Sequence, residues 1–428
     1  MKKLAFLGLL TMATSFLSAQ KTDDIINAKE VERIEKVLAA DDMRGRRVFS
    51  PELDKAAAFI ASEFKQAGLQ IGNGGDSYLQ SFAMIRPKFI SASGMLDGQP
   101  LEQKNIVVIT SQPELKIDQN SGYEKAAIKA GDNFSMEAYK YFQSGKNFFI
   151  TVDTSFAKNF PKLARFKNGG LFKSDKSIVF VLADREPSVF SIEAKHQVTE
   201  QKLANVVGIL PGKSKKEEYV IFSGHYDHIG IGQPVNGDSI NNGANDDAAG
   251  TTAVILLAKY FKALNNNERT IVFAAFTAEE AGGFGSQYFS KQFDPSKVAA
   301  MFNIEMIGTE SKWGRNSAYI TGYEKTDMGK ILQKNLEGTG FTFYPDPYPG
   351  EDLFYRSDNA TLARQGVPAH TISTSKMDNE PNYHKVSDQV ETLDIANMTM
   401  IIKSIALSSK TIIAGIDTPS RVNVDDLR

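Results

Sequence analysis

The sequence predicts an α/β fold in which helices cover both faces of a central sheet. Apolar β-type runs and helical segments alternate regularly from Leu203 onwards, which is typical of this fold class. Three of the runs are followed by imidazole or carboxylate side chains. Because ligands collect at the carboxyl ends of strands in an open α/β sheet, these side chains predict one shared site. The runs and the side chains that follow them are Tyr219–Gly224 with His225, Thr270–Thr277 with Glu279 and Glu280, and Val298–Ile304 with Glu305.

The composition is that of a globular protein with a substantial core. The chain has 428 residues, of which 42% are hydrophobic and 23% charged, enough for one large domain and a smaller one. Its formal net charge is −2 and it has no long basic stretch, which argues against nucleic acid as the main partner. Cysteine is absent. That absence excludes disulfides, thiol catalysis, thiolate metal sites and a lipid-anchored N-terminal cysteine.

Residues 1–19 predict a signal peptide. Two lysines precede an apolar run, Leu4–Leu17, and the small residues Ser18 and Ala19 follow it. The run is too short to span a membrane, and no later run is long enough to do so. We therefore expect cleavage after Ala19, a secreted or periplasmic protein, and no membrane contact once the leader is removed.

Residues 20–85 are expected to form the N-terminal part of the main domain. Their pattern is helical, and Pro51–Gly68 has the strongest signals, with Ser50 as N-cap and Gly68 as the stop. Between the helical stretches, Asp41–Phe49 is polar and interrupted by glycine. This segment is either a loop near the site or a solvated connection.

Residues 86–200 are expected to form an inserted accessory domain of mostly β character. Short β-type runs alternate there with polar, turn-rich stretches around one helical segment, Met136–Gln143. No cluster of histidine and carboxylates occurs in this region. Its one histidine, His196, is expected at the surface.

Residues 201–428 are expected to form the main part of the domain, with strands and helices in alternation. The predicted elements are strand Tyr219–Ser223, helix Ala248–Leu264, strand Thr270–Phe276, a helix near Ser286–Lys291, strand Val298–Ile304, helix Asp327–Leu336, helix Ser357–Gln365, a strand after Pro368 and a C-terminal helix from about Asp388 to Ser409.

Three of the five histidines, His225, His228 and His384, lie in polar motifs that contain aspartate. His225 is followed two positions later by Asp227, and a metal-ligating imidazole commonly has a carboxylate that orients its other nitrogen. Asp246 lies just before a helix that begins with small residues. It is either a helix N-cap or a metal ligand, and the small neighbours leave room for an ion to approach.

Glu279 and Glu280 are adjacent carboxylates that follow a strand. The two adjacent carboxylates repel each other unless a cation lies nearby. Neighbouring side chains at a strand end point in different directions, so one of the two can bind a metal ion while the other faces the water bound to it. Six of the seven residues from Ile271 to Thr277 are apolar, which disfavours a solvated surface pair. The chain has neither an HExxH zinc helix nor a GxSxG nucleophile elbow. Water activated by a metal is therefore the economical mechanism.

Five motifs resemble, in this order, the secreted zinc aminopeptidases of peptidase family M28, which hold two zinc ions. The resemblance covers Leu203–Ser409 and extends to Asp41–Leu69, and Met136–Asp153 weakly resembles the protease-associated domain of many members. It implies the zinc exopeptidase fold, an α/β/α sandwich with a mixed, mainly parallel central sheet. The motifs are GHYDHIG at Gly224–Gly230, GANDDAAG at Gly243–Gly250, AEE at Ala278–Glu280, NIEM at Asn303–Met306 and YHKVSD at Tyr383–Asp388.

The resemblance also implies a site that holds two zinc ions. Asp246 would bridge the two ions. Glu280 and His384 would complete the ligands of one ion, and His225 and Glu305 those of the other.

Three further roles follow from the resemblance. Glu279 would be the general base that takes a proton from the attacking water and later donates it to the leaving amine. Asp227 would orient the imidazole of His225, and the hydroxyl of Tyr383 would bind the oxyanion.

The chain departs from the family pattern at two places. Many members have aspartate where this chain has Glu305, whose extra methylene shifts that ion or requires the backbone to retreat. The family's RSDH stretch is RSDN here, at Arg356–Asn359, so the role of that histidine is lost. Arg356 and Asp358 are expected near the substrate pocket, whose walls we expect to include 313–319 and 343–353.

The sequence therefore predicts an exported zinc-dependent exopeptidase that removes N-terminal residues from peptides. A carboxypeptidase or another amidohydrolase on the same fold is the alternative among enzymes. A non-catalytic peptide-binding protein is the alternative outside them, although it would not need a base beside the metal. A structural calcium site is disfavoured because two imidazoles suit zinc better than calcium.

Overall fold

The computed structural model describes residues 22–72, 75–167 and 170–427. The expected signal peptide lies outside these ranges. The chain divides into two compact units, one formed by the residues up to Ser81 together with those from Ala204 onwards, and one formed by Phe82–Leu203. The second unit lies within four residues of the inserted domain expected from the sequence at 86–200.

The regular elements follow in chain order. The strands are β1 Gln70–Ile71, β2 Leu79–Leu96, β3 Gln99–Leu101, β4 Ile106–Thr110, β5 Glu114–Asp118, β6 Glu124–Ile128, β7 Phe148–Val152, β8 Leu171–Phe172, β9 Ser177–Leu182, β10 Phe190–Leu210, β11 Lys215–His225, β12 Gly230–Val235, β13 Asp238–Asn241, β14 Arg269–Phe276, β15 Val298–Ile304, β16 Ser317–Ile320, β17 Thr342–Pro345 and β18 Ala369–Ser373. The helices are α1 Ala28–Leu38, α2 Pro51–Ala67, α3 Phe134–Gln143, α4 Ala249–Leu264, α5 Phe284–Ser290, α6 Met328–Asn335, α7 Asn359–Ala363, α8 Ile395–Ser408 and α9 Lys410–Ile413.

The first unit contains a central sheet with the strand order β17–β16–β18–β15–β11–β14–β10. Strand β11 is parallel to both of its neighbours, β14 and β15, and β15 is parallel to β18. Antiparallel pairs occur between β16 and β18 and between β14 and β10. The prediction of a mixed, mainly parallel sheet is thus confirmed. Because β11, β14 and β15 run in the same direction, the residues that follow them meet at one edge.

The core of this sheet is apolar on both faces. Every residue of β14 and β15 is buried, as expected for parallel strands that are covered on both sides. The ring of Phe222 in β11 stacks between those of Phe273 and Phe302, at centroid distances of 5.8 and 4.8 Å. Helix α4 packs on β11 and is buried through most of its length. These contacts hold the strand ends in fixed positions.

Helix α2 begins and ends as the sequence predicts. The hydroxyl of Ser50 accepts a hydrogen bond from the backbone N–H of Leu53, Pro51 occupies the first turn, and Gly68 ends the helix with φ 76°. No helix within the described ranges is both long and apolar enough to cross a membrane.

The second unit is built mostly of strands. Its four-stranded sheet has the order β4–β9–β7–β6, and β5 pairs with β10. Two apolar clusters form its core, and the rings of Phe149 and Phe190 stack at a centroid distance of 3.8 Å in one of them. His196 is only 3% exposed and lies against the ring of Phe89. Its expected surface position is wrong because β10 turns this side chain inward, where apolar neighbours cover it.

Helix α1 contains a buried carboxyl group. Glu35 is fully buried, and neither of its oxygens has a hydrogen-bond partner among the described residues. Burial raises the pKa of this carboxyl to about 8, although the charge of Arg46 opposes the shift. Glu35 is therefore protonated in the folded protein at neutral pH.

Glu35→Gln should flatten the dependence of stability on pH. Between the usual glutamate pKa of 4.5 and the raised value of about 8, the folded protein holds a proton on Glu35 that the unfolded chain has lost. The free energy of unfolding of the natural protein therefore falls as pH rises across this window, by at most about 1.4 kcal/mol per pH unit from this group. Urea unfolding at pH 5, 6, 7 and 8 should show the variant gaining stability relative to the natural protein.

The control is Glu32→Gln, which removes an exposed carboxylate from the same helix. Parallel pH profiles for the natural protein and Glu35→Gln would show that Glu35 does not take up a proton on folding.

Candidate metal centre

The first group of donors lies at the ends of β11 and β15. His225 is the last residue of β11, Glu305 follows β15 directly, and Asp246 lies in the segment Ala244–Ala248, where its own backbone angles are not helical. The His225 Nε2 atom lies 3.3 Å from Asp246 Oδ1 and 3.3 Å from Glu305 Oε1. These three side chains can hold one metal ion between them.

The second group of donors uses the other oxygen of Asp246. His384 Nε2 lies 3.2 Å from Asp246 Oδ2 and 3.1 Å from Glu280 Oε2. His228 Nδ1 lies 2.9 Å from Glu280 Oε1 and 3.8 Å from Asp246 Oδ2. The structure thus brings the five expected ligands together, with Asp246 between the two groups. It adds His228, to which no role was assigned from the sequence.

The chemistry of these donors fits divalent metal ions. Burial alone raises the pKa of the Asp246 carboxyl, but the imidazoles of His228, His225 and His384 lower it well below its usual range. The carboxylates in turn favour the protonated form of the imidazole beside them. Hydrogen bonds with Asp246 and Glu280 raise the pKa of His384 to about 10. The cluster therefore attracts positive charge. Imidazole nitrogens and carboxylate oxygens at these separations suit zinc.

Glu279 lies beside the donor groups without belonging to either of them. It follows β14 in the turn that also holds Glu280. Burial raises the pKa of its carboxyl well above the usual value; His225 opposes this shift, and the charges of Glu305 and Asp358 add to it. A carboxyl group with a raised pKa can both accept and return a proton near neutral pH.

Asp227 holds the turn that contains the two glutamates. Its carboxylate accepts hydrogen bonds from the backbone N–H groups of Glu279, at 3.0 Å, and Glu280, at 3.3 Å. The Nδ1 atom of His225 lies 3.1 Å from the backbone carbonyl oxygen of Asp227 but 3.8 Å from its carboxylate. Asp227 therefore contacts the imidazole through its backbone, whereas its side chain fixes the position of the glutamate pair.

Arg46 joins two of the loops that carry ligands. Its fully buried guanidinium donates hydrogen bonds to the carbonyl oxygens of Tyr226 at 2.7 Å, Asn242 at 2.6 Å and Gly243 at 2.8 Å. The segment Asp41–Phe49 therefore lies near the site, as one of the two interpretations expected, although Asp41–Arg46 forms short 3₁₀ turns. The sequence offered one signal, an arginine next to a glycine in a stretch that resembles the family's N-terminal segment.

Two further aspartates position the ligand loops. Asp388 accepts hydrogen bonds from the backbone N–H groups of Asn245 at 2.8 Å and Asp246 at 3.0 Å. Asp247, joined to Asp246 by a cis peptide bond, accepts from the N–H groups of His225 at 3.1 Å and Met306 at 3.0 Å. Neither residue was singled out from the sequence, because backbone contacts between distant segments leave no local pattern.

A small cavity opens beside Glu305. Its volume is about 70 Å³, and its walls include Tyr319, Leu353, Met377 and Tyr383. The ring of Tyr383 stacks on that of His384 at a centroid distance of 3.9 Å, and the residue is 38% exposed. Tyr383 therefore borders the space that is open to a ligand. Burial of the ring raises the pKa of the Tyr383 hydroxyl, so it stays protonated and can donate a hydrogen bond.

The two residues expected near the pocket differ in position. Arg356 lines the cavity and pairs with Glu351 at 3.1 Å. Asp358 is 2% exposed and does not line it, and burial raises its pKa to about 7. The expected wall segments 313–319 and 343–353 contribute Tyr319 and Leu353.

Comparisons with known proteins show a family to which residues 205–408 are similar. The model of peptidase family M28 matches residues 205–408, the part that carries all the donors. Leucine aminopeptidase 1 of Ajellomyces dermatitidis is 29% identical over 211 residues, which are 45% of this chain and 52% of that protein. The chain thus spans about half the length of the curated relatives it matches.

Solved structures share the fold. The aminopeptidase from Aneurinibacillus sp. strain AM-1 aligns over 96% of this chain and 98% of its own, with a TM-score of 0.55 and 16% identity. The zinc aminopeptidase BSAP of Bacillus subtilis aligns over 90% of this chain and 95% of its own, with a TM-score of 0.54 and 17% identity. Residues 205–408 thus match the model of peptidase family M28, and the chain shares its fold with these two aminopeptidases.

Proposed function

We propose that this protein is a zinc-dependent aminopeptidase that removes N-terminal residues from peptides. The proposal rests on the position of Asp246, because each of its two carboxylate oxygens faces a separate group of metal donors. Glu279 lies beside these two groups. The family of residues 205–408 and the aminopeptidase names of the similar proteins support the same activity.

Two zinc ions per chain would be held by the donors described above. His225 and Glu305 would serve one ion and Glu280 and His384 the other, with Asp246 shared. When bound, zinc polarises a peptide carbonyl and lowers the pKa of water, so that a nucleophile is available near neutral pH. Glu305, where many family members have aspartate, accepts a hydrogen bond from the Ser357 hydroxyl at 2.5 Å, which would hold the longer side chain in place.

Glu279 would move the proton during hydrolysis. Its carboxylate takes a proton from the attacking water as the C–O bond forms, and it returns that proton to the leaving amine as the C–N bond breaks. The position of Glu279 beside both groups of donors suits these two transfers. The hydroxyl of Tyr383 would donate a hydrogen bond to the oxyanion that develops on the carbonyl. The cavity beside Glu305 would hold the side chain of the N-terminal residue.

Glu279→Gln should separate metal binding from turnover. The amide cannot accept the proton, so kcat should fall by at least about 100-fold, whereas zinc content should stay near that of the natural protein. Peptide hydrolysis and metal analysis on the same preparation measure the two effects.

Glu337→Gln, a change at an exposed glutamate outside the site, is the matched control. Turnover by Glu279→Gln equal to that of this control would remove Glu279 from its role. An absence of turnover in the natural protein with both ions bound would favour the non-catalytic alternative.

Blocked peptides should separate the aminopeptidase from its rivals among enzymes. One peptide sequence is prepared with free ends, with an acetylated N-terminus and with an amidated C-terminus. We expect release of the N-terminal residue from the free and amidated forms and none from the acetylated form, as followed by mass spectrometry. Cleavage that is indifferent to acetylation but abolished by amidation would show a carboxypeptidase instead.

We also propose that the protein is exported. The support is the leader pattern of residues 1–19, with its two lysines and the apolar run before Ala19. Expressed with this leader in a bacterial host, the protein should be recovered outside the cytoplasm with Gln20 as its first residue, as determined by intact-mass measurement. A cytoplasmic protein that keeps Met1 would contradict export.

A further inference from the structure

We propose that His228 is an additional metal ligand, so that one of the two ions is held by four protein side chains. These are Asp246, Glu280, His384 and His228. The inference rests on the metals of the proposed function but concerns only how they are held. It makes the two sites unequal, because the other ion keeps three protein ligands, His225, Asp246 and Glu305.

The position of the His228 imidazole carries the proposal. Its Nδ1 atom lies 2.9 Å from Glu280 Oε1 and 3.8 Å from Asp246 Oδ2. His384 approaches the same two carboxylates through its Nε2 atom, at 3.1 and 3.2 Å. Ligand atoms about 2.0–2.1 Å from a tetrahedral zinc lie roughly 3.3 Å apart. The four distances bracket this value, and His228, Asp246 and Glu280 form one group whose donor atoms all lie within 4.8 Å of one another, so this imidazole is placed to join the ligands of that ion.

The hydrogen bonding of His228 differs from that of a structural buried histidine. His370 is equally buried, and its nitrogens meet the Thr321 carbonyl oxygen and the Thr326 hydroxyl, both at 2.8 Å. His228 is 1% exposed; its Nδ1 atom lies 2.9 Å from Glu280 Oε1 but not in hydrogen-bonding geometry, and its Nε2 atom has no hydrogen-bond partner in the part of the chain that the structure describes. A buried polar group without a partner is costly. An ion bound by Nδ1 would give that nitrogen its partner.

The backbone around His228 holds the ring in this position. The His228 N–H donates to the carbonyl oxygen of Arg46 at 3.3 Å, and a β-bridge joins His228 to Arg47. On the other side, the ring packs against Gly243, where a Cβ atom would lie only 2.6 Å from it. The absence of a side chain at Gly243 therefore leaves the space that the imidazole occupies.

If His228 is a ligand, we expect the two metal ions to bind in a fixed order. A site with four protein ligands is closed, as structural zinc sites are, whereas a site with three keeps a position for water or substrate. The ion beside His228 should therefore bind first and leave last. The ion beside Glu305, next to the cavity, should exchange more readily.

His228→Asn separates coordination from hydrogen bonding. Its side-chain amide reaches about as far as Nδ1 of histidine, so it can still donate a hydrogen bond to Glu280, but it is a poor zinc ligand. The metal-free natural protein, His228→Asn and His370→Asn are titrated with Co²⁺, and binding is followed by visible absorption and by metal analysis after dialysis. His370→Asn controls for the loss of a buried imidazole elsewhere in the unit.

The proposal predicts two Co²⁺ ions of unequal affinity in the natural protein and in His370→Asn. In His228→Asn the tighter site should weaken by at least about 100-fold, more than the loss of a supporting hydrogen bond causes, and its absorption spectrum should change. A loss of affinity smaller than about 100-fold would overturn the proposal, because His228 would then only position Glu280.

A second measurement needs no variant and no turnover. Natural protein loaded with one equivalent of Co²⁺ should show two paramagnetically shifted imidazoles by NMR, and one shifted imidazole would overturn the proposal. Because both experiments read metal binding, a protein that fails to cleave peptides would contradict the proposed function and leave this inference standing.

Discussion

The concentration of negative charge around Asp246 is the constraint on which the rest of the structure depends. Asp246 lies in one group of close donors with Glu305 and in another with Glu280, and all three carboxylates are largely away from water. Carboxylates in such a place repel each other strongly unless cations balance them. Three imidazoles already lie against these groups, and the raised pKa of His384 reflects the same demand for positive charge. The proposed pair of divalent ions would meet that demand, and the donors are those that zinc prefers.

The surrounding residues keep the donors together before any ion binds. Parallel strands bring the ends of β11, β14 and β15 to one edge of the sheet. Buried charged side chains then fix the loops beyond those ends through backbone hydrogen bonds, with Arg46 and Asp388 on the loop of Asp246 and Asp227 on the turn of Glu280. Most of these contacts join a charged group to a backbone amide, which makes them stronger than neutral hydrogen bonds. The site is therefore preorganised by groups that do not touch the substrate.

Much of the fold could be predicted because its signals are local. The apolar runs of β14 and β15, the cap at Ser50 and the stop at Gly68 each depend on a few consecutive residues, and the structure confirms them. The full ligand set could be proposed because the motifs that carry the donors resemble, in their order, those of a known family. His228 also lies in one of those motifs, but the motif alone does not show which polar groups surround this imidazole in the folded protein.

The residues that the sequence did not reveal act over long distances. Arg46 lies 196 positions before Asn242, whose carbonyl it binds, and 142 positions separate Asp246 from Asp388. Only the fold brings such pairs together. His196 was misplaced for a related reason: alternation along β10 decides which way it points, and a polar residue in a polar stretch does not show what covers it.

Anomalous diffraction at the zinc absorption edge would test the two-ion account most directly. Crystals of the protein purified with zinc should give two peaks on either side of the Asp246 carboxylate, one next to Glu305 and one next to Glu280. No peak at Asp246, or a single peak that contacts only one of its oxygens at full occupancy, would contradict the account.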